Sequence, residues 1–236
     1  VKVLTHSPTT SCGHRAVEDG RGRTERMHVT VEVVDRILAC LQGIATGDAV
    51  GKQTEGLTRE GVQRWYPNGV RGFEGVPGSV IPRYIGNSKR QGRIGETTDD
   101  TERTLAVAES ILADRNVSHV SVGRAMLGCI KSVHPGVKSL WEFHQAADPM
   151  RIGAGHDGCG AAIRVAPVGA VYRTTSLDEL VSGAREASIS THAGSLAIAA
   201  AAATAAAVSA AIDGASAAQV AELAWQAAAL SESRWP

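Results

Sequence analysis

Residues 31–51 read VEVVDRILACLQGIATGDAVG, and within them Val33, Ile37, Leu41, Ile44 and Asp48 recur at spacings of three and four. That is the period of an α-helix with one apolar face. It sets an acid, Asp48, at the end of the stripe, where it is either buried among partners or facing a site. Gly51 reads as the stop. The same period returns further on. Thr98-Asp-Asp-Thr101 opens a helix with Leu105, Ala108 and Leu112 as its inner stripe, and another helix covers 120–133, ending before Pro135. Ser176-x-x-Glu179 reads as a capping box opening a helix towards Thr191, and Ser216-x-x-Gln219 as a second one. Between them runs an alanine-rich helix ended by Gly214. No interval reads as a strand series. The expected fold is all-α, an orthogonally packed helical bundle with long functional loops at 52–97 and 153–160.

Composition limits the function classes. Lys+Arg and Asp+Glu stand at 24 each, so no overall field favours nucleic acid or an anionic membrane. The expectation is therefore no nucleic-acid and no membrane partner. Any phosphate-rich ligand must be held locally. Cys12, Cys40, Cys129 and Cys159 are widely spaced without a CxxC pair, which points to a reducing, cytoplasmic setting rather than a zinc motif. The run Ser195–Ile212 is mostly alanine with Ser195, Thr204 and Ser209 inside, and reads as a buried central helix rather than a membrane span. Residues 1–26 are polar and aperiodic and read as a disordered leader, with one domain over 27–236.

Three clusters carry candidate chemistry. Thr98, Asp99, Asp100 and Thr101 gather hard oxygen ligands at one helix start, the donor type that Mg²⁺ or Mn²⁺ prefers. The helix dipole favours anions there by only roughly 0.3–1 kcal/mol, too little to offset two adjacent carboxylates. Glu55 follows the Gly47-Asp-Ala-Val-Gly51 element in a loop and is free to point into a cleft. Glycoside cleavage needs a carboxylate or an activated water to deliver the nucleophile. Gly155-His-Asp-Gly-Cys-Gly160 is a glycine loop whose N–H groups suit a diphosphate, with Arg164 just beyond to add charge. Thr191-His192 lies between two helices, where His192 is placed to reach a ribose hydroxyl. Each cluster also has a plain structural reading, as a helix cap, a solvated loop or a packed histidine.

Taken in order, Gln42-Gly-Ile-Ala-Thr-Gly-Asp-Ala-Val-Gly51, Thr98-Asp-Asp-Thr101, Gly158-Cys-Gly-Ala-Ala-Ile-Arg-Val-Ala-Pro-Val-Gly169 and Thr191-His192 form a series. This series resembles the ADP-ribosylglycohydrolase family, which includes the dinitrogen-reductase-activating glycohydrolases. The resemblance covers roughly residues 31–214. It implies a metal-dependent hydrolase that cleaves the glycosidic bond between ADP-ribose and a modified protein side chain or small molecule. The implied cofactor is a pair of Mg²⁺ or Mn²⁺ ions, with Thr98, Asp99 and Asp100 as metal ligands. Glu55, Asp99 and Asp100 become the implied catalytic residues. Gly155, Asp157, Gly158, Cys159, Gly160 and His192 become the implied substrate contacts.

One departure matters. The family carries a second acidic cluster of the Asp-x-Asp-Thr type near its C-terminus, whereas after residue 191 this chain has only Asp213, Glu222 and Glu232. The domain therefore reads as C-terminally incomplete, with weak Mg²⁺ binding and little turnover of its own. Two other readings stay open: an inactive ADP-ribose-binding or crystallin-like structural relative, and an unrelated Mg²⁺-dependent phosphohydrolase.

Overall fold

A computed structural model describes residues 31–74, 95–129 and 157–236. Eight α-helices are present there: α1 (Val31–Gly51), α2 (Arg59–Trp65), α3 (Asp99–Asp114), α4 (His119–Gly128), α5 (Ala166–Val171), α6 (Leu177–Ile189), α7 (Ser195–Ile212) and α8 (Ala217–Arg234). Short 3₁₀ turns at Ala162–Arg164 and Thr174–Ser176 lead into α5 and α6. Among the described residues there is no strand, so the all-α expectation holds. The leader expected over 1–26 lies outside the described residues.

The alanine-rich helix α7 is the centre of the bundle. It packs against α8, α6 and α5 and buries residues on several sides, including Ala197, Ala201, Ala202, Ala205 and Ala206. Small side chains let neighbouring backbones come close. The tightest approach is at Gly169 of α5, where a β-carbon would stand 2.3 Å from the Ala205 carbonyl oxygen. By length and composition α7 could cross a membrane, yet here it is the middle of the core, as a buried central helix should be.

Helix ends follow local chemistry. Gly214 takes a left-handed φ of 80° beyond α7, and the Ala215 N–H reaches back to the Ala210 carbonyl at 3.0 Å, a Schellman closure. Arg36 of α1 adds a bond to the Ile212 carbonyl, tying α1 to that end. The capping box at Ser216 and Gln219 forms as expected. The one at Ser176 does not: Ser176 makes no side-chain cap bond, because the preceding residues are wound into the 3₁₀ turn and its ψ is 76°.

Three further expectations need correction. Residues 52–97 are not loop throughout, since Thr58 caps the short helix α2 through the Gly61 N–H. Two turns are too few for a period to show in sequence. Helix α4 stops at Gly128, with Cys129 extended, short of the expected 133. The inner face of α3 is also rotated: Leu105 and Leu112 are exposed, while Thr104, Val107 and Ile111 are buried. Both faces carry apolar residues. The packed one carries Thr104, whose hydroxyl bonds the Asp100 carbonyl at 2.7 Å and lies 3.1 Å from the Ile163 carbonyl.

Gly169→Ala should lower stability by roughly 1–3 kcal/mol through overpacking against α7, read as a drop of several degrees in thermal midpoint. Gly43→Ala is the contrast. Among the described residues none comes within 4 Å of a β-carbon there, and removing a helix-interior glycine should raise stability by up to about 1 kcal/mol. A Gly169→Ala protein as stable as wild type would contradict the close α5–α7 contact.

Candidate functional site

Asp48 stands near the end of α1, and the first turn of α3 is built on it. Its Oδ1 accepts from the Thr98 hydroxyl at 2.6 Å. Its Oδ2 accepts from the Thr98 N–H at 2.8 Å, the Thr101 N–H at 3.1 Å and the Thr101 hydroxyl at 2.6 Å. The two N–H groups belong to the donors that a helix start cannot satisfy internally. A carboxylate is also the group that the helix dipole favours there. Asp48 is thus held by partners and also borders a cleft.

That cleft is a cavity of about 300 Å³ with Asp48, Lys52, Glu55, Thr98 and Asp100 on its polar side and Ile44 and Ile163 among its apolar walls. Lys52 is paired with Glu96 at 3.2 Å. Burial, then the charges of Asp99, Asp48 and Glu55, push the Asp100 carboxyl up to about 6, with Arg103 partly opposing them. Of the three acids expected together, Glu55, Asp99 and Asp100, the first and last both line this cavity. Asp99 is not among its lining residues. Its carboxylate is turned to Arg103, at 3.1 Å.

The donor set fits a hard divalent cation. The Thr98 hydroxyl spends its proton on Asp48 and accepts at 3.4 Å from the Asp100 N–H. Since a hydroxyl oxygen has two acceptor lone pairs, one remains for a ligand. Asp100 supplies a carboxylate under negative charge that Arg103 offsets only in part, and a cation would relieve the rest. Among the described residues, however, no three His, Cys, Asp or Glu side chains are arranged to hold an ion on their own. The set is partial.

On the other side of α3, His192 lies over the end of the glycine loop. A β-carbon at Gly160 would come within 2.5 Å of the imidazole, and one at Gly158 within 3.3 Å. Glycine is required at 160 because the ring occupies the space of a side chain. The Thr191 hydroxyl bonds the His192 Nδ1 at 2.7 Å and helps orient the ring. Asp157 accepts at 3.4 Å from the Ala197 N–H, in the first turn of α7. Cys159 is exposed and free. Gly155 lies outside the described residues.

Arg164 does not serve the loop as a charge. It is fully buried, and its Nε and Nη2 donate to the Ala187 carbonyl at 3.2 and 2.9 Å, with Nη2 also reaching Ser188. These bonds satisfy carbonyls at the end of α6, which explains the position: a cation at a helix C-terminus is favoured. Burial and the nearby Arg103 lower its pKa to about 9. Sequence reading missed Arg103, although its place four residues after Asp99 is an ion-pair spacing on a helix.

Two outcomes follow. Asp48→Ala strands four donors and should cost about 3 kcal/mol in urea denaturation; a loss under half that would show the junction to be held elsewhere. For Asp100 the folded-state value of about 6 lies above the reference 3.8, so the folded protein binds more protons between them. Its contribution therefore makes stability fall as pH rises through that window. In chelator-treated protein, Asp100→Asn should flatten the decline in unfolding free energy between about pH 4 and 6. Matching slopes for the two proteins would contradict this.

The model of the ADP-ribosylglycohydrolase family matches residues 29–234. A protein of Archaeoglobus fulgidus described only as an "Uncharacterized protein" is 32% identical over 170 residues, which cover 70% of this chain and 52% of that protein. A solved "ADP-ribosylglycohydrolase-related protein complex" superposes with a TM-score of 0.63 at 28% identity, covering 81% of this chain and 61% of its own. The chain thus spans about half the length of the archaeal relative. The order of motifs, the helical architecture and these matches agree, and the chain belongs to the ADP-ribosylglycohydrolase family.

Proposed function

We propose that the cleft hydrolyses the glycosidic bond joining ADP-ribose to a modified protein side chain or small molecule. The observation that carries this reading is the convergence of Asp48, Glu55, Thr98 and Asp100 on one cavity. Cleavage at C1″ of a ribose passes through an oxocarbenium-like state with positive charge on the sugar. Carboxylates held in place around that ring stabilise the developing charge more than the ground state. Glu55, exposed at the cavity, is the group to accept a proton from the attacking water. Asp100 accepts from ribose hydroxyls, and Asp48 acts by fixing the Thr98–Thr101 turn rather than by touching the substrate. Gly158, Gly160 and His192 line the path of the diphosphate and distal ribose, with Asp157 and Cys159 beside them. An Mg²⁺ or Mn²⁺ ion held by Thr98 and Asp100 would supply charge neutralisation and orientation of oxygen ligands.

A second reading is favoured by one observation, the partial ligand set among the described residues: the cleft binds ADP-ribose without turning over its conjugates. The two separate in one assay. With Mn²⁺ present, release of free ADP-ribose from ADP-ribosyl-arginine and from an ADP-ribosyl-serine peptide is followed, alongside ADP-ribose binding by calorimetry. Hydrolysis predicts slow release that falls by roughly 100-fold or more in Glu55→Gln with little change in KM. Binding without release selects the second reading. Release of inorganic phosphate instead would reject both and point to a phosphohydrolase.

A further inference from the structure

We infer that Arg103 is a built-in counter-cation that withholds Asp99 from the cleft, so that this ion pair sets how tightly the cleft takes a divalent cation. The inference rests on the reading that the cleft binds such a cation. Asp99 and Asp100 are adjacent on α3, yet only Asp100 borders the cavity. Asp99 is drawn to Arg103 one turn on, at 3.1 Å, and the Arg103 side chain is 8% exposed. On its far side the guanidinium reaches the glycine loop's end: its Nη1 lies 3.4 Å from where a Gly160 β-carbon would stand.

Charge reinforces the geometry. Arg164 is fully buried, close enough to Arg103 for the two charges to act on each other, and is bonded to carbonyls rather than to a carboxylate. Drawing Asp99 into the cleft would remove negative charge from beside two neighbouring buried guanidiniums, and breaking such a pair from one side is strongly unfavourable. A cation in the cleft consequently meets Thr98 and Asp100 with Asp99 held back. Replacing Arg103 by a neutral side chain of similar length removes that hold and leaves Asp99 a neighbour of Asp100 with no cation of its own, free to join the ion.

The test measures Mn²⁺ binding to the metal-free chain by electron paramagnetic resonance of the free ion, which needs no turnover. Arg103→Met should bind Mn²⁺ roughly tenfold or more tightly than wild type. Arg103→Met with Asp99→Asn should return to the wild-type value, and Arg103→Lys, which keeps the charge, should stay near it. Circular dichroism checks folding, and Arg103→Gln replaces the Met variant if that one does not fold. Equal Mn²⁺ affinity in wild type and the neutral variants overturns the inference while leaving a cation-binding cleft intact. Absence of Mn²⁺ uptake by all the folded proteins overturns both.

Discussion

Everything in the cleft depends on the carboxylate of Asp48 accepting from both the backbone and the hydroxyls of Thr98 and Thr101. These partners lie about fifty residues away in sequence, so the bonds close a long loop, whose entropic cost rises only slowly with length. What they achieve is positional. The end of α1 and the start of α3 are fixed to one another at hydrogen-bond precision, and Glu55 and Asp100 inherit their placement from those two elements. A carboxylate suits this task better than an amide would, because every group facing it is a donor.

That arrangement also explains why the alternatives for Asp48 were open in sequence. The 3-4 spacing from Val33 to Asp48 showed that the acid ends an apolar stripe, but periodicity carries no information on what lies opposite. Thr98-Asp-Asp-Thr101 was legible as a helix start, and the structure makes Thr98 the N-cap. The helical bundle, the buried alanine-rich helix and the cap at Ser216 were equally readable, since each follows from local chemistry or period. The inner face of α3 was not. Its buried side includes Arg103, Thr104 and Ser110, polar residues that pattern reading assigns to solvent and that find partners in Asp99 and in the Val107 and Ile163 carbonyls. Arg164 misled for the same reason: an arginine after a glycine loop suggests an anion site, whereas burial against the end of α6 gives it carbonyls to cap.

The glycine loop and His192 form a second unit whose logic is steric. Gly160 is needed less for backbone freedom than for space, because the imidazole occupies the volume of its missing side chain. The ring is steadied by Thr191, while Arg164 bonds the end of α6 just before Thr191 and His192. The turn after the loop and the turn after α6 are thereby pinned together through one buried guanidinium. The described end of the loop, residues 158–160, thus gains a defined position from its neighbours.

Between the two units lies a change of sign. On the cavity side of α3 stand Asp48, Glu55 and Asp100; on its inner side stand Arg103 and Arg164. A ligand spanning the helix start would meet negative potential at one end and the glycine loop's end at the other. On the proposed reading, ADP-ribose would bring a cationic ribose to the first end and an anionic diphosphate to the second. Low local dielectric strengthens both halves of such a match, but it equally strengthens the attraction between the halves themselves. Asp99 and Arg103 sit at that boundary and satisfy each other. Their pairing neutralises one carboxylate of the helix start, which on the proposed reading leaves one fewer for the cleft.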